Sequence, residues 1–158
     1  MSVTKKLLNP DQALQKLRHF CGYQERCHSE ARSKLYQLEV ARKHHDTIIA
    51  SLIDEGYLDE GRFAITFAGG KFRINQWGKQ KIKHALKLKK VSEYSINKGL
   101  RKIANEEYLP ALKKLAETKY LSLGENDRVL RIKRTMDYLV QKGFETELVN
   151  DVLAGLNN

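Results

Sequence analysis

Apolar residues recur at intervals of three and four along almost the whole chain, which is the spacing that one face of an α-helix requires. Ala31, Leu35 and Leu38 show this spacing, and capping residues, Pro or Gly stand at the ends of such stretches. The predicted helices begin near Pro10, Ser29, Asp46, Asp59, Lys79, Ser92, Leu109, Asp127 and Glu145. No segment alternates apolar and polar residues as a half-buried strand would, so the pattern predicts an all-α protein.

A motif of helix end, short turn and second helix occurs twice, about 50 residues apart, which is a period found in helical repeat arrays. The segment LKKVSEYSINKGL (88–100) aligns with VQKGFETELVNDVL (140–153), and this alignment places Val91 on Phe144. Residues 35–52 fit the same template with a few extra residues in the turn. The repeat therefore predicts that one structural unit is used three times.

Three tandem three-helix units would fill the chain. Because such units stack on their neighbours, we expect them to form an elongated, curved array. The predicted units are 1–55, 56–104 and 105–158. Gly69 and Gly70 lie inside a predicted helix of the second unit, where they can loosen the helix or allow close packing.

Composition supports a folded chain. Of 158 residues, 41% are hydrophobic, 30% are charged and two are proline, as in helix-rich globular proteins. The apolar stretches are too short to span a bilayer, and the first residues do not read as a secretory signal, so we expect a cytoplasmic protein. In that compartment Cys21 and Cys27 should be thiols, and their spacing is not that of a zinc knuckle.

Positive charge is concentrated in the middle of the chain. Residues 56–104 carry 12 Lys or Arg and 3 Asp or Glu, while the flanking segments have net charges of +2 and −1 within a total of +10. A concentrated positive field attracts polyanions, of which nucleic acid is the commonest. The alternative interpretation is a solvated lysine face.

The helix predicted over residues 79–90 places four lysines on one narrow stripe and apolar residues such as Ile82 and Leu86 on another face. We call the four lysines the lysine stripe: Lys79, Lys83, Lys87 and Lys90. Arg62, Lys71 and Arg73, just upstream, complete the predicted surface for a partner or nucleic acid. Phe72 and Trp77 can stack on bases, but aromatic residues at helix junctions more often belong to the core.

No catalytic arrangement emerges from the sequence. It contains no glycine-rich phosphate loop, no nucleophile elbow and no metal-binding carboxylate motif. We therefore expect a protein that is not an enzyme, with no cofactor and no metal site.

Three segments carry a resemblance to a known family. GYLDEGRFA (56–64) is similar to a string of glycine, hydrophobic, acidic and Arg-Phe-Ala positions in the RecX family, the bacterial regulators of the RecA recombinase. WGKQKIKHALKLKKV (77–91) resembles the family's basic helix, and RTMDYLVQKGFETELVNDVL (134–153) resembles its C-terminal unit. Lys90 departs from the family pattern because a glycine is common at that position.

The resemblance implies three tandem three-helix units and binding to RecA filaments on DNA, with modulation, usually inhibition, of recombinase and co-protease activity. We expect a monomer that binds single- or double-stranded DNA weakly and without sequence preference, since no base-reading helix motif is present. Two alternatives stay open at this point: a stand-alone nucleic-acid-binding module, and a helical scaffold for protein partners.

Overall fold

The computed structural model describes residues 8–124 and 126–156, and over these residues the chain forms nine α-helices, one 3-10 turn and no strand. The helices are α1 (Pro10–Tyr23), α2 (His28–Gln37), α3 (His45–Asp54), α4 (Glu60–Arg73), α5 (Lys79–Leu88), α6 (Glu93–Arg101), α7 (Asn105–Ser122), α8 (Arg128–Gln141) and α9 (Thr146–Leu156). The 3-10 turn, Arg42–His44, directly precedes α3. The prediction of an all-α fold is confirmed.

Side-chain caps explain where several helices begin. Oδ1 of Asp59 accepts a hydrogen bond from the backbone N–H of Arg62 at 2.9 Å, and Asp127 caps α8 through the N–H of Val129 at 3.0 Å. Each cap satisfies an amide that has no partner within the first turn of its helix. The hydrogen bond from the Arg62 N–H is also the main reason that the pKa of Asp59 is lowered. The predicted starts at these two aspartates are confirmed.

The nine helices form three tandem three-helix units, α1–α3, α4–α6 and α7–α9. The first helix of each unit buries three residues spaced four apart, which places them on one face. These residues are Ala13, Leu17 and Cys21 in α1, Ala64, Ala68 and Phe72 in α4, and Tyr108, Leu112 and Ala116 in α7. The second and third units share one continuous core, whereas the first unit has a core of its own.

The same turn ends the second helix of every unit. It contains one residue with positive φ, followed by a buried apolar residue whose N–H donates back to the helix. The positive-φ residues are Glu39 (58°), Lys90 (62°) and Gly143 (102°). The N–H donors are Val40 to Leu35 at 3.0 Å, Val91 to Leu86 at 3.2 Å, and Phe144 to Leu139 at 3.1 Å. The alignment of Val91 with Phe144 is therefore confirmed, and the extra residues of the first unit form the 3-10 turn.

Lys90 is placed by this turn rather than by α5. The helix ends at Leu88, two residues before the predicted end, because Lys90 adopts the left-handed conformation that terminates helices. A side chain in that conformation costs roughly 1 kcal/mol relative to glycine. Glycine adopts this conformation without that cost. Lysine at a position where glycine is common in the family therefore makes the turn less stable.

Backbone contact joins the second unit to the third. The N–H groups of Gly78 and Gln80 donate to the carbonyl oxygens of Lys142 and Gly143 at 2.8 and 2.9 Å. A Cβ atom on Gly78 would lie 2.3 Å from the carbonyl carbon of Gly143, so only glycine permits this approach. We call this contact the glycine joint.

Gly69 and Gly70 neither loosen α4 nor allow another helix to pack closely against it. α4 runs through both positions without interruption. A Cβ on Gly70 would meet no atom within 4 Å, and a Cβ on Gly69 would meet only the flexible end of Arg73. The close helix approach lies elsewhere, at Gly99, where a Cβ would sit 2.6 Å from the carbonyl oxygen of Ala64.

Side-chain contacts join the first unit to the second. Ser29 Oγ donates to the carbonyl oxygen of Lys89 at 2.6 Å, and Lys89 Nζ pairs with Glu30 at 3.3 Å. Arg62 pairs with Glu25 across the same boundary at 2.6 Å. Cys27 is buried in the core of the second and third units. We call this set of contacts the polar joint.

Candidate nucleic-acid interface

The outer face of α5 carries positive charge without internal compensation. Within the part of the chain that the structure describes, Lys83, Lys87 and Lys90 have no ion-pair partner, and the last two are exposed. Ile82 and Leu86, on the adjacent face of the helix, are fully buried. Lys83 and Lys87 are therefore separated from the buried residues of α5 as the sequence predicted, whereas Lys90 lies beyond the end of the helix.

Lys79 differs from the rest of the lysine stripe. Its ammonium group lies 4.8 Å from the centre of the Tyr108 ring, and its side chain is half-buried. Its backbone N–H donates to the Tyr108 hydroxyl, which in turn donates to Glu145 at 2.6 Å. Burial and the hydrogen bond to Glu145 raise the pKa of Tyr108, so the phenol stays protonated. Lys79 therefore also takes part in the junction between the second and third units.

The two predicted arginines form ion pairs inside the molecule. Arg62 Nε lies 2.6 Å from Glu25, and its Nη2 donates to the carbonyl oxygen of Gly56. Arg73 makes two hydrogen bonds to Glu107, at 2.8 and 3.1 Å, and these bonds raise its pKa and lower that of Glu107. Arg62 joins α4 to the connections before α2 and after α3, and Arg73 joins α4 to α7, so the charge of both arginines is partly neutralised. Their assignment to a partner surface stays a prediction.

A second basic surface lies on the side of α5 that faces α4, where three lysines alternate with two half-buried aromatic rings. Lys71 Nζ is 5.5 Å from the centre of Phe67 and 4.9 Å from Trp77, Lys81 Nζ is 4.6 Å from Trp77, and Lys89 Nζ is 5.8 Å from Phe67. These distances are those of cation–π contacts. We call the five residues the lysine–aromatic ladder.

Sequence reasoning included Lys71 but missed Lys81 and Lys89. Spacing along α5 shows only that these two lysines flank the apolar side of the helix. The packing of α4 against α5 decides which aromatic rings these lysines approach. The spacing of residues along one helix does not determine that packing. The prediction that Phe72 belongs to the core is supported by its burial and by its contact with Tyr108 at 5.6 Å. Trp77 is half-buried and packs against the same core, so the core interpretation holds for it in part.

Other chemistry is sparse in the residues that the structure describes. They contain no group of His, Cys, Asp or Glu side chains that could hold a metal ion. Cys21 and Cys27 are both buried free thiols. No helix in the described ranges is long and apolar enough to cross a membrane.

The fold and this surface define the class: an all-α tandem-repeat protein with a basic middle unit. Family models confirm the class and name it. The model of the second three-helix domain of RecX matches residues 59–106, and that of the third three-helix domain matches residues 106–153. The chain belongs to the RecX family, and the resemblance drawn from its sequence is confirmed.

Two relatives illustrate the degree of similarity. "Regulatory protein RecX" of Clostridium acetobutylicum is 33% identical over 129 residues, which cover 78% of this chain and 59% of that protein. The protein of the same name from Oceanobacillus iheyensis is 28% identical over 135 residues, covering 85% of this chain and 50% of that protein. The chain thus spans between half and three-fifths of the length of these relatives.

Solved structures support the fold. The crystal structure of RecX from Lactobacillus salivarius superposes with a TM-score of 0.85 at 18% identity, covering 94% of this chain and 96% of that one. A second crystal structure, of a regulatory protein RecX, gives a TM-score of 0.83 at 20% identity and covers 90% of this chain and 72% of that one. The arrangement in three tandem three-helix units is therefore shared with proteins of distant sequence.

Proposed function

We propose that this protein binds filaments of the RecA recombinase and inhibits their recombinase and co-protease activity. The observation that carries the proposal is uncompensated charge at Lys83, Lys87 and Lys90 on the second unit of a RecX-family fold. A nucleoprotein filament presents a dense array of phosphates, and ammonium groups without internal partners are available to meet it. The names of the relatives, which are regulatory proteins, support a regulator over an enzyme.

The proposal includes the remaining properties expected from the sequence. The protein acts in the cytoplasm as a monomer, without cofactor or metal, and binds bare DNA weakly and without sequence preference. Its units are 1–55, 56–104 and 105–158. Because a tandem array can touch several neighbouring subunits of a helical filament at once, inhibition should occur at amounts well below one molecule per recombinase subunit.

The test is a titration of the DNA-dependent ATPase of the recombinase. The variant reverses the charge of three unpaired lysines, Lys83→Glu, Lys87→Glu and Lys90→Glu. The matched control reverses three exposed lysines elsewhere, Lys102→Glu, Lys113→Glu and Lys114→Glu, so that both proteins have the same net charge. Far-UV circular dichroism and thermal melting show whether each variant retains the fold.

We expect the wild type and the control to inhibit, and the lysine-stripe variant to lose inhibition while staying folded. Equal inhibition by all three proteins would show that the stripe is a solvated face and that another surface engages the filament. A wild type that binds bare DNA but leaves the recombinase unaffected would support the stand-alone nucleic-acid-binding module. A wild type that does neither would support the helical scaffold.

A further inference from the structure

We propose that the lysine–aromatic ladder is a binding site for single-stranded nucleic acid, in which Lys71 and Lys81 hold successive phosphates and Trp77 contacts a base. This inference rests on the proposed function and deepens it by adding a contact for single-stranded nucleic acid beside the lysine stripe. The geometry behind it is the approach of two ammonium groups to the Trp77 ring, whose centre lies 4.9 Å from Lys71 Nζ and 4.6 Å from Lys81 Nζ.

Charge compensation separates the members of the ladder. Lys89 is paired with Glu30 at 3.3 Å and holds the polar joint, so its charge is partly used within the molecule. Lys71 and Lys81 make no ion pair in the described part of the chain. The two lysines nearest Trp77 are therefore the ones whose charge is available to a phosphate.

The aromatic rings fix the positions of these charges in advance. A lysine side chain is flexible, and ordering it on a ligand costs conformational entropy. Packing against Trp77 and Phe67 removes part of that freedom before any ligand arrives. A phosphate that binds Lys71 or Lys81 thus meets a partly ordered ammonium group, which favours affinity.

The ladder fits a single strand better than a duplex. Proteins that bind single strands combine a positive track with aromatic side chains on which unpaired bases stack. In a duplex the base faces are already stacked on each other, so Trp77 would gain no partner. Ile74, which follows α4 in the same connection, is 82% exposed and offers a further apolar contact to a base.

Trp77 is the only tryptophan of the chain, so its fluorescence reports directly on the proposed site. The experiment titrates the full chain with oligo(dT), and with a duplex as comparison, at about 50 mM salt, where phosphate contacts are strong. We expect saturable quenching by oligo(dT) and little change with the duplex. The variant Lys71→Gln/Lys81→Gln should bind oligo(dT) roughly 60-fold more weakly, at about eightfold for each of the two phosphate contacts at this salt concentration.

The matched control is Lys113→Gln/Lys114→Gln, which removes two exposed lysines from α7 in the third unit. It should retain quenching of Trp77 with at most a few-fold loss of affinity. Trp77→Leu, followed by anisotropy of a labelled oligonucleotide, should bind about 5- to 100-fold more weakly because a stacking contact is lost. Thermal melting of each variant separates loss of binding from loss of fold.

Saturable binding of oligo(dT) without any change in Trp77 fluorescence would overturn the proposal. Equal losses in the ladder variant and the Lys113→Gln/Lys114→Gln control would overturn it as well, since they would indicate general charge attraction. This titration contains no recombinase, whereas the proposed function is tested by inhibition of the recombinase ATPase. A failure of the ladder is therefore distinguishable from a failure of the proposed function.

Discussion

Gly78→Ala should weaken the glycine joint between the second and third units. The added Cβ would lie 2.3 Å from both the carbonyl carbon of Gly143 and the backbone nitrogen of Phe144. Carbon atoms in ordinary contact are about 3.5–4.0 Å apart, so the two segments must separate by more than 1 Å. Both contacting atoms belong to backbone, which cannot rotate away as a flexible side chain can.

The cost has two parts. Separation breaks the hydrogen bonds from Gly78 to Lys142 and from Gln80 to Gly143, which are now 2.8 and 2.9 Å long. Each loss costs about 0.5–1.5 kcal/mol, and forcing extra volume into a packed junction adds about 1–3 kcal/mol. The free energy of unfolding should therefore fall by about 2–6 kcal/mol. For a chain of this size the melting temperature should fall by roughly 5–20 °C.

Urea unfolding, followed in parallel by far-UV circular dichroism and by the fluorescence of Trp77, measures this effect. Trp77 is adjacent to the joint, so its transition should come earlier than the loss of helix if the joint opens alone. Gly70→Ala is the control: its Cβ meets no atom within 4 Å, and removing a glycine from a helix interior should raise stability by about 0.5–1 kcal/mol. A Gly78→Ala protein with the unfolding midpoint of the wild type would refute the reasoning.

Three further predictions follow from burial and charge. Phe63→Ala should lower the free energy of unfolding by about 3–5 kcal/mol, because Phe63 is only 4% exposed; an unchanged melting temperature together with lost regulation would instead indicate contact with a partner. Burial opposes ionisation of Glu30, but hydrogen bonds from Cys27 and Lys89 outweigh it and lower the pKa below 4.5. The ionised carboxylate therefore stabilises the fold above about pH 4.5, and this stabilisation is lost as pH falls through the folded-state pKa. In urea unfolding, the free energy of unfolding of Glu30→Gln should depend less on acid pH than that of the wild type. Burial raises the pKa of Cys21 to about 11, and Cys27 is 1% exposed, so a thiol reagent should label both only on unfolding; rapid labelling of the native protein would contradict their burial.

The fold was predictable to a large extent because helical patterning and capping are local. The starts of α4 and α8 follow from Asp59 and Asp127, each of which needs only the next two or three residues to act as a cap. The repeat of the turn before Val91 and Phe144 was also visible, since it depends on a short string of residues. The end of α5 was not, because nothing in the residue type of Lys90 indicates a left-handed conformation.

The candidate surface was predictable only in part. Helix periodicity separates Lys83 and Lys87 from the buried face of α5, and this separation is present. The environment of Lys81 depends on where Trp77 lies after α4 and α5 pack, and the pairing of Arg73 with Glu107 depends on a helix of the next unit. Such contacts join positions far apart in sequence, so spacing within one helix contains no information about them.

The glycine joint and the polar joint differ in stiffness. The second and third units share one continuous core, and backbone atoms far apart in sequence touch between them. The first unit has its own core, and its contacts with α4–α6 beyond the connecting segment are made by side chains. Side-chain hydrogen bonds and ion pairs can exchange with water at little cost, while backbone in close contact cannot. The junction between the second and third units should therefore resist bending more than the junction between the first and second units.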